Sequence, residues 1–568
     1  MGNTESNFPF KLGTEITAYK SQYWKLNEGA RLVRLAVLYV VQVGGEEVSI
    51  FTFDKKQYPD RLALAKNHMQ RLKTLRHPHV MRYIDGVELA TTIHVVTEPV
   101  TPLVLRAKGN VADKDGSSES KEDLSQSLGL FQIISAISWL TNDCKMVHGN
   151  LCPLSVFIGK SGDWKLGGFE LFAISTGGTG MELLRSHRDV LTPLYRSPEF
   201  ANQNWSFACV KPLRSAIEDG PAWGTDSWSL GCFLFEVFNG TLEKASQLTQ
   251  PNGLPQSLVA PYRRLLATSG SSRLNPKELL KLKYFDNPLV TAVQFLDNLA
   301  LKNTQEKTDF FANFATIVDN FPEQCAKYKV LPALTQALDM NLGAGTASFS
   351  AILTSVLKIG GKLTPSEYAT SVIPSVIRLF SSNERSVRVH LLQHLGEFAP
   401  NLGNDLVEEQ IFPHITTGFT DSSPALRELT VKSLVHLVPK LTAKTIPKVR
   451  THTSFEQVLQ FLNKLQQDRE PAIRTNTTYC IAKIATHLPS STRDKSTRYR
   501  HSNVVVLVSG FSRSLQDVFP PARVAGLASF VATQEYHSGP VVALRIIPAV
   551  SPLTVDPVKD VSRHNAMS

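Results

Sequence analysis

Met146-Val147-His148-Gly149-Asn150-Leu151-Cys152-Pro153-Leu154-Ser155-Val156 is the stretch on which the reading of this chain turns, and its neighbours set its context. Upstream, Val48-Ser49-Ile50-Phe51-Thr52-Phe53 reads as a strand and is followed by a helical stretch reaching Leu72, Leu75 and Arg76-His77-Pro78. Ile93-His94-Val95-Val96-Thr97-Glu98 is a second strand, and Arg106–Asp123, rich in Lys, Asp, Gly and Ser, reads as a solvated loop. Leu124, Leu128, Phe131, Ile134, Ile137 and Leu140 then recur at helical spacing. The order is strands, one helix, strands, then a helical lobe.

The quoted stretch resembles the protein-kinase catalytic loop H-R-D-L-x-P-x-N, with His148, Leu151 and Pro153 matching. Lys165-Leu166-Gly167-Gly168-Phe169-Glu170 stands where kinases carry D-F-G, and only Phe169 matches. Ser197-Pro198-Glu199 resembles A-P-E, and Asp226-Ser227-Trp228-Ser229-Leu230-Gly231 the D-x-W-S-x-G start of the central kinase helix. The resemblance implies that Asp226 holds the catalytic-loop backbone and that Glu199 and Arg273 form a buried ion pair, whose one-sided loss costs about 3–5 kcal/mol.

These architectural residues contrast with the charged ones. Phosphoryl transfer is mostly positioning and electrostatic stabilisation, so the missing charges decide the chemistry. Phe51 stands where V-A-I-K carries its phosphate-binding lysine, and His68 where the partnering glutamate belongs. Asn150 replaces the catalytic aspartate and, as a neutral amide, cannot act as a general base. Ser155 replaces the second metal-binding asparagine, and Gly168 replaces the aspartate that would hold magnesium. No G-x-G-x-x-G precedes Ile50. The expectation is a pseudokinase without cofactor or metal. A weakly active atypical kinase, rescued by Lys55 or Lys56 with Glu170, is the alternative. Cys152 has no identifiable activating base and reads as a packed thiol.

A chain of 568 residues exceeds what one core supports and divides into domains. The expected division is a flexible 1–9, a kinase-like 10–290 and a helical 291–568. Six cysteines without C-x-x-C spacing read as reduced thiols, and with no leader-like start the location is expected to be cytoplasmic. Met1-Gly2-Asn3-Thr4-Glu5-Ser6 fits the pattern for N-myristoylation at Gly2, which by itself gives weak membrane association. The net charge of +10 suggests acidic partners.

In the second half an Asp-x-x-x-x-x-Arg phrase recurs from Asp421 to Arg427, Asp468 to Arg474 and Asp517 to Arg523, with Ser382 to Arg388 as a weaker copy. The arginines are spaced 39, 47 and 49 residues apart, close to the period of about 40–47 of HEAT or armadillo units. Pro332, Pro374, Pro413 and Pro548 are read as helix starts. The fold class expected is therefore an α+β bilobal kinase-like fold followed by an all-α HEAT/armadillo-type solenoid. Residues 440–500 hold twelve Lys and Arg against four Asp and Glu, and Lys440, Lys444, Lys448, Arg450, Arg474 and Arg523 are candidate contacts for an acidic partner. Val504-Val505-Val506-Leu507-Val508 looks β-prone and breaks the helical pattern.

Together with Lys73-Thr74-Leu75-Arg76-His77-Pro78, Tyr83-Ile84-Asp85-Gly86, Glu236-Val237-Phe238-Asn239-Gly240 and Asn476-Thr477-Thr478, these features make the chain resemble the SCY-like pseudokinase family along nearly its whole length. The resemblance implies a scaffold in retrograde vesicle traffic from Golgi to endoplasmic reticulum, with vesicle-coat proteins (COPI coatomer), small Arf GTPases or golgins as partners. It implies a cytoplasmic, Golgi-associated location. A fungal relative linked to tRNA export makes a tRNA-binding nuclear export adaptor the runner-up. The sequence departs from the family at Arg563–Ser568, where it stops without the coiled coil and basic tail that carry coatomer recognition.

Overall fold

The computed structural model describes residues 10–31, 33–35, 38–40, 47–103, 121–174, 182–198, 223–339, 346–382, 384–441, 454–487 and 504–567. Gly2, Glu199, Lys444, Lys448 and Arg450 lie outside them. Two compact units emerge, one of residues up to Asn298 plus Asp319–Val330 and one of Leu299–Val318 plus Leu331 onward. The division at Asn298 falls inside the segment the sequence reading gave to the helical half, and Asp319–Val330 belong with the first unit.

The first unit opens with a five-stranded antiparallel sheet of β1 (Phe10–Glu15), β2 (Trp24–Arg31), β3 (Glu47–Asp54), β4 (Tyr83–Glu88) and β5 (Thr92–Thr97), in the order β1-β2-β3-β5-β4. β3 is central, with Phe51 opposite Leu26 on one side and Val95 on the other. Because side chains alternate across a strand, its two faces feed different cores. Val48 and Ile50 pack with Phe10 and Val96, whereas Phe51 and Phe53 turn toward Trp24 and the helix α1 (Leu62–Thr74). β6 (Val100–Pro102) links this sheet to a larger helical lobe and pairs with β7 (Val156–Gly159), which pairs in turn with β8 (Trp164–Leu166). That lobe is built on α2 (Lys121–Ser138) and α3 (Gly224–Asn239). Lys121–Asp123, read from sequence as the end of a loop, are the first turn of α2.

The second unit is a stack of helices. α4 (Leu331–Asp339), α5 (Thr346–Gly360), α6 (Ile373–Phe380) and α7 (Arg385–Phe398) precede α8 (Phe412–Thr416) and α9 (Pro424–Leu437). α10 (Ser454–Leu465), α11 (Pro471–Ile484), α12 (Val504–Leu515), α13 (Pro520–Ala532), α14 (Ile547–Val550) and α15 (Lys559–Met567) complete it. Each later pair buries one apolar stripe, such as Leu426, Val431, Leu434 and Leu437 on α9, because a single helical repeat cannot cover its own face.

One sequence expectation needs correction here. Val504–Val508 begin α12 and do not break the helical pattern. An apolar run of five has no period by which to tell strand from helix, and the continuation to Leu515 decides it. Pro332, Pro374, Pro413 and Pro548 are the second residues of α4, α6, α8 and α14, at helix starts as the sequence reading has them, and wide π turns at Val407–Ile411 and Val542–Ile546 lead straight into α8 and α14. A proline removes one amide and crowds the carbonyl four residues back, and the widened turn relieves that crowding.

Candidate functional site

Asp226, in the first turn of α3, is fully buried and accepts hydrogen bonds from the backbone N–H groups of His148 and Gly149, both at 2.9 Å. Burial lifts its carboxyl to about 6 although the two N–H donors act the other way. The His148 ring accepts from the Asn150 N–H at Nδ1 (3.3 Å) and lies 2.8 Å from the Gly167 carbonyl at Nε2, so Nε2 carries the proton. Burial drives its pKa to about 4, against the Gly167 bond, and the neutral ring meets Phe169 edge-on at 5.0 Å. The loop frame expected from His148, Phe169 and Asp226 is present. Arg273 is also buried, donating to the carbonyls of Ala267 (2.9 Å), Gly224 (2.9 Å) and Thr268 (3.1 Å) and lying 5.3 Å from the Trp228 ring centre.

At the positions that should carry charge, the space is filled. Phe51 is 1% exposed and packs edge-on against Phe157 (5.3 Å) and Tyr19 (5.8 Å), while Tyr19 also meets Phe157 at 5.5 Å. Tyr19 comes from the β1–β2 connection, where a phosphate-cradling glycine loop would lie. Burial foremost, with Glu170 nearby, raises its hydroxyl above the ordinary tyrosine range. Three aromatic rings thus occupy the inner cleft, and none offers a cation to a phosphate.

His68 and Glu170 do not rebuild an activating ion pair. The Phe169 N–H donates to His68 Nδ1 (3.1 Å), which places the ring proton on Nε2, a buried atom without a hydrogen-bond partner. Burial, outweighing Glu170, lowers the His68 pKa, so its 3.3 Å approach to Glu170 joins a neutral ring to a carboxylate. The Asn150 amide donates to Glu170 Oε2 at 3.1 Å.

The two metal-holding positions touch each other. Gly168 has φ +71°, and a Cβ there would come within 2.5 Å of Ser155 Cβ. An aspartate in that place would collide, quite apart from the cost of a left-handed backbone. Ser155 Oγ is engaged with the Cys152 N–H (3.1 Å) and carbonyl (2.9 Å). Among the described residues no group of three or more metal-ligating side chains forms. Lys55 turns away to Glu88 (2.8 Å) and the Leu89 carbonyl (2.7 Å), so the rescue role considered for it has no geometric support. Burial pushes the Cys152 thiol up to about 11, which keeps it protonated and unreactive.

Three residues that sequence reasoning missed complete the closure. Ser49 Oγ accepts from the Val100 N–H (3.0 Å) and donates to the Val100 carbonyl (3.2 Å), so the interlobe connection has neither group free for a ligand. The Asn67 amide on α1 reaches the carbonyls of Glu170 (2.9 Å), Phe172 (3.0 Å) and Phe169 (3.3 Å), pinning α1 to the degenerate D-F-G segment. Tyr19 is the third. The S in V-S-I-F was a visible departure from V-A-I-K, but no local pattern marks Tyr19 or Asn67.

In the second unit the recurring Asp-x-x-x-x-x-Arg phrase is a ladder of bidentate bonds. Arg427 donates to Asp468 (2.8 and 3.0 Å), Arg474 to Asp517 (2.6 and 2.8 Å) and Arg523 to Asp556 (2.8 and 3.0 Å). Each guanidinium also donates to the carbonyl of its own turn's aspartate, Asp421, Asp468 and Asp517. The Arg474 and Arg523 side chains are therefore committed within the stack, and their assignment to a partner-facing surface is corrected: the repeated spacing serves repeat-to-repeat contact. The weaker copy at Arg388 does not form a rung; it bonds the His414 carbonyl (2.9 Å) and Thr417, while Arg385 reaches Asp421 at 3.3 Å. Lys440 is half-buried and donates to the Pro400 carbonyl at 3.1 Å.

Comparison with known proteins follows this geometry. Residues 369–496 match the family described as PIK3R4-like, middle domain. The chain is 33% identical over 561 residues to "Probable inactive serine/threonine-protein kinase scy1" of Dictyostelium discoideum, covering 98% of this chain and 62% of that protein. It is 23% identical over 496 residues to SCY1-like protein 2 of Homo sapiens, covering 78% of this chain and 50% of that protein. It thus spans less than two thirds of the length of these relatives. A solved structure, "Crystal structure of Cex1p", superposes with a TM-score of 0.62 at 21% identity, covering 100% of this chain and 96% of that one, which shows the shared fold of a kinase-like lobe and a helical solenoid.

Proposed function

From its kinship with the SCY1 and SCY1-like kinase-like proteins, a pseudokinase group, we propose that this chain is a scaffold in vesicle traffic between the Golgi and the endoplasmic reticulum. The observation that carries the scaffold reading is the coexistence of an intact frame, Asp226 holding His148 and Gly149, with a catalytic space occupied by Tyr19, Phe51 and Phe157. A fold kept while its chemistry is closed off serves binding. Vesicle-coat proteins, small Arf GTPases or golgins are the partners we assign to the solenoid, at the cytoplasmic face of Golgi membranes. No helix among the described residues is long and apolar enough to cross a membrane.

The basic stretch of 440–500 favours a second reading, a tRNA-binding export adaptor. Parallel pull-downs with Arf proteins, golgins and tRNA at rising salt separate the two. Protein partners that survive salt while tRNA is released support the scaffold, since counterion release makes nucleic-acid binding steeply salt-dependent. Tight tRNA binding with no Arf, coat or golgin capture would overturn it.

A further inference from the structure

We propose that the exposed face shared by α9, α11 and α13 docks an amphipathic helix of a partner protein, one whose apolar stripe is flanked by acidic residues. The three helices lie side by side as the second helices of successive repeats. Arg427, Arg474 and Arg523 stand at the same turn of each, donating to the carbonyl of that turn's aspartate. The ladder therefore sets a common register. Residues five and nine positions after each arginine share one helix face, because they are four apart. Lys432 and His436 on α9 line up with Tyr479 and Lys483 on α11, and with Ala528 and Ala532 on α13. Bonds between neighbouring helices fit that register: the Asn476 amide donates to Glu428 at 2.9 Å, and the Ser529 hydroxyl to the Thr478 carbonyl at 3.5 Å.

The face is apolar at one end and basic at the other. On α13 it consists of Val524, Ala528, Val531 and Ala532, with no polar side chain among them, and Tyr479 is their register neighbour on α11. Val531 is 41% exposed and Tyr479 37%. The stack already has its core on the other side of these helices, such as Ile473, Cys480 and Ile481 of α11, so the exposed side chains are not needed to hold it together. Toward α9 the character changes, with Lys432, His436 and Lys483 exposed. The nearby carboxylates are engaged: Glu428 lies 2.6 Å from Lys432 and accepts from Asn476, and Glu397 of α7 lies 2.8 Å from His394. Lys483 forms no ion pair among the described residues.

Complementarity then chooses the occupant. Val524, Val531 and Tyr479 call for an apolar stripe, and Lys483 for a carboxylate beside it. A nucleic acid would set phosphates over α13, where the face offers them no cation. A purely apolar helix would leave Lys483 without a partner. Axes of packed helices lie about 8–10 Å apart, so the face from α9 to α13 is about 16–20 Å across, the length of a helix of roughly 11–13 residues. The inference rests on the scaffold reading in requiring a protein partner, and it names the element by which that partner is recognised.

The test titrates the full chain into fluorescein-labelled helical peptides and reads anisotropy. One peptide carries leucines at i, i+3, i+4 and i+7 with glutamates on both flanks, a second has lysines in place of the glutamates, and a third scrambles the first. Labelled tRNA is the nucleic-acid probe. The acidic amphipathic peptide should bind about tenfold more tightly than either control, and Val531→Asp should remove most of that preference. Lys483→Glu should weaken the acidic peptide and favour the lysine one. Val518→Asp, at a residue 93% exposed in the turn before α13, should change nothing. All three positions are exposed, so the variants should melt like the parent, and the second keeps the test open if the first does not fold. Equal binding of the three peptides overturns the proposal, as does a preference that survives both Val531→Asp and Lys483→Glu. So does tRNA binding that these substitutions abolish while no peptide binds. The peptides read this face alone: their failure leaves the pull-down test of the scaffold standing, and empty pull-downs with the peptide still bound would count against the scaffold and not against the face.

Discussion

Replacing Arg474 by alanine should uncouple the solenoid at one interface and leave the helices themselves intact. Arg474 makes two bonds to Asp517, at 2.6 and 2.8 Å, and one of 2.9 Å to the Asp468 carbonyl, with the two side chains 21% and 11% exposed. A solvent-exposed ion pair is worth about 0–1 kcal/mol and breaking a fully buried one costs about 3–5 kcal/mol. The rung has little accessible surface but lies at the edge of the stack with water close by, so about 2 kcal/mol is the expected cost. In an array held by nearest-neighbour terms, that loss falls on one interface and should separate unfolding of α12–α15 from the repeats before them. Urea unfolding followed by far-ultraviolet circular dichroism would show a broadened or split transition with a lower apparent slope. Asp517 adds a pH signature. Arg474 holds its carboxyl below the usual carboxylate range, so the stabilisation is present above the unfolded value of about 3.9 and is lost as pH falls through the folded one. Wild type should therefore lose stability below about pH 4 more steeply than Asp517→Asn. A double-mutant cycle of Arg474→Ala and Asp517→Ala with coupling under about 0.5 kcal/mol would refute the assignment of the rung as the interface bond.

The purified chain should incorporate no labelled phosphate with magnesium or manganese; incorporation abolished by Lys55→Ala would restore the atypical-kinase alternative. Gly168→Asp should lower the melting temperature instead of restoring metal binding, because its Cβ meets Ser155 at 2.5 Å with φ +71°, and a variant that bound magnesium without loss of stability would contradict the collision. Ser49→Ala strands the Val100 N–H and carbonyl, for an expected cost of about 1–3 kcal/mol in thermal or denaturant unfolding. Asp226, lifted to about 6 by burial, binds its proton more tightly folded than unfolded, so it lowers stability as pH rises from about 4 to 6; Asp226→Asn should flatten that part of the stability profile.

What could be read in advance was whatever nature writes in short range. His148 to Ser155, Gly168-Phe169 and the Asp226 helix start are contiguous phrases, and their spacing placed the frame and each lost charge on a residue. The Asp-x-x-x-x-x-Arg period likewise exposed the repeats, yet it was half misread: Arg474 and Arg523 were counted as free charge although a charge recurring at a fixed turn position is more economically explained by a neighbouring aspartate. Tyr19, Ser49 and Asn67 escaped because their partners, Phe51 and Phe157, Val100, and the Phe169–Phe172 carbonyls, lie 32 to more than 100 residues away along the chain. Val504–Val508 escaped because an apolar run of five carries no period of its own to tell helix from strand.

The replacements also explain why the lost chemistry is not one substitution from return. A lysine at position 51 would enter a site 1% exposed between Tyr19 and Phe157, where desolvation favours the neutral amine over the cation the reaction needs. An aspartate at 150 would face Glu170 Oε2, which the present amide contacts at 3.1 Å, setting two carboxylates against each other in a buried pocket. An aspartate at 168 would strike Ser155. Ser49 would still hold Val100, and Asn67 would still fasten α1 to Glu170 and Phe172. Each single reversion thus meets neighbours shaped around its replacement, so the closed cleft behaves as a packed core, and a core of this kind rigidifies the lobe for whatever binds its outer surface.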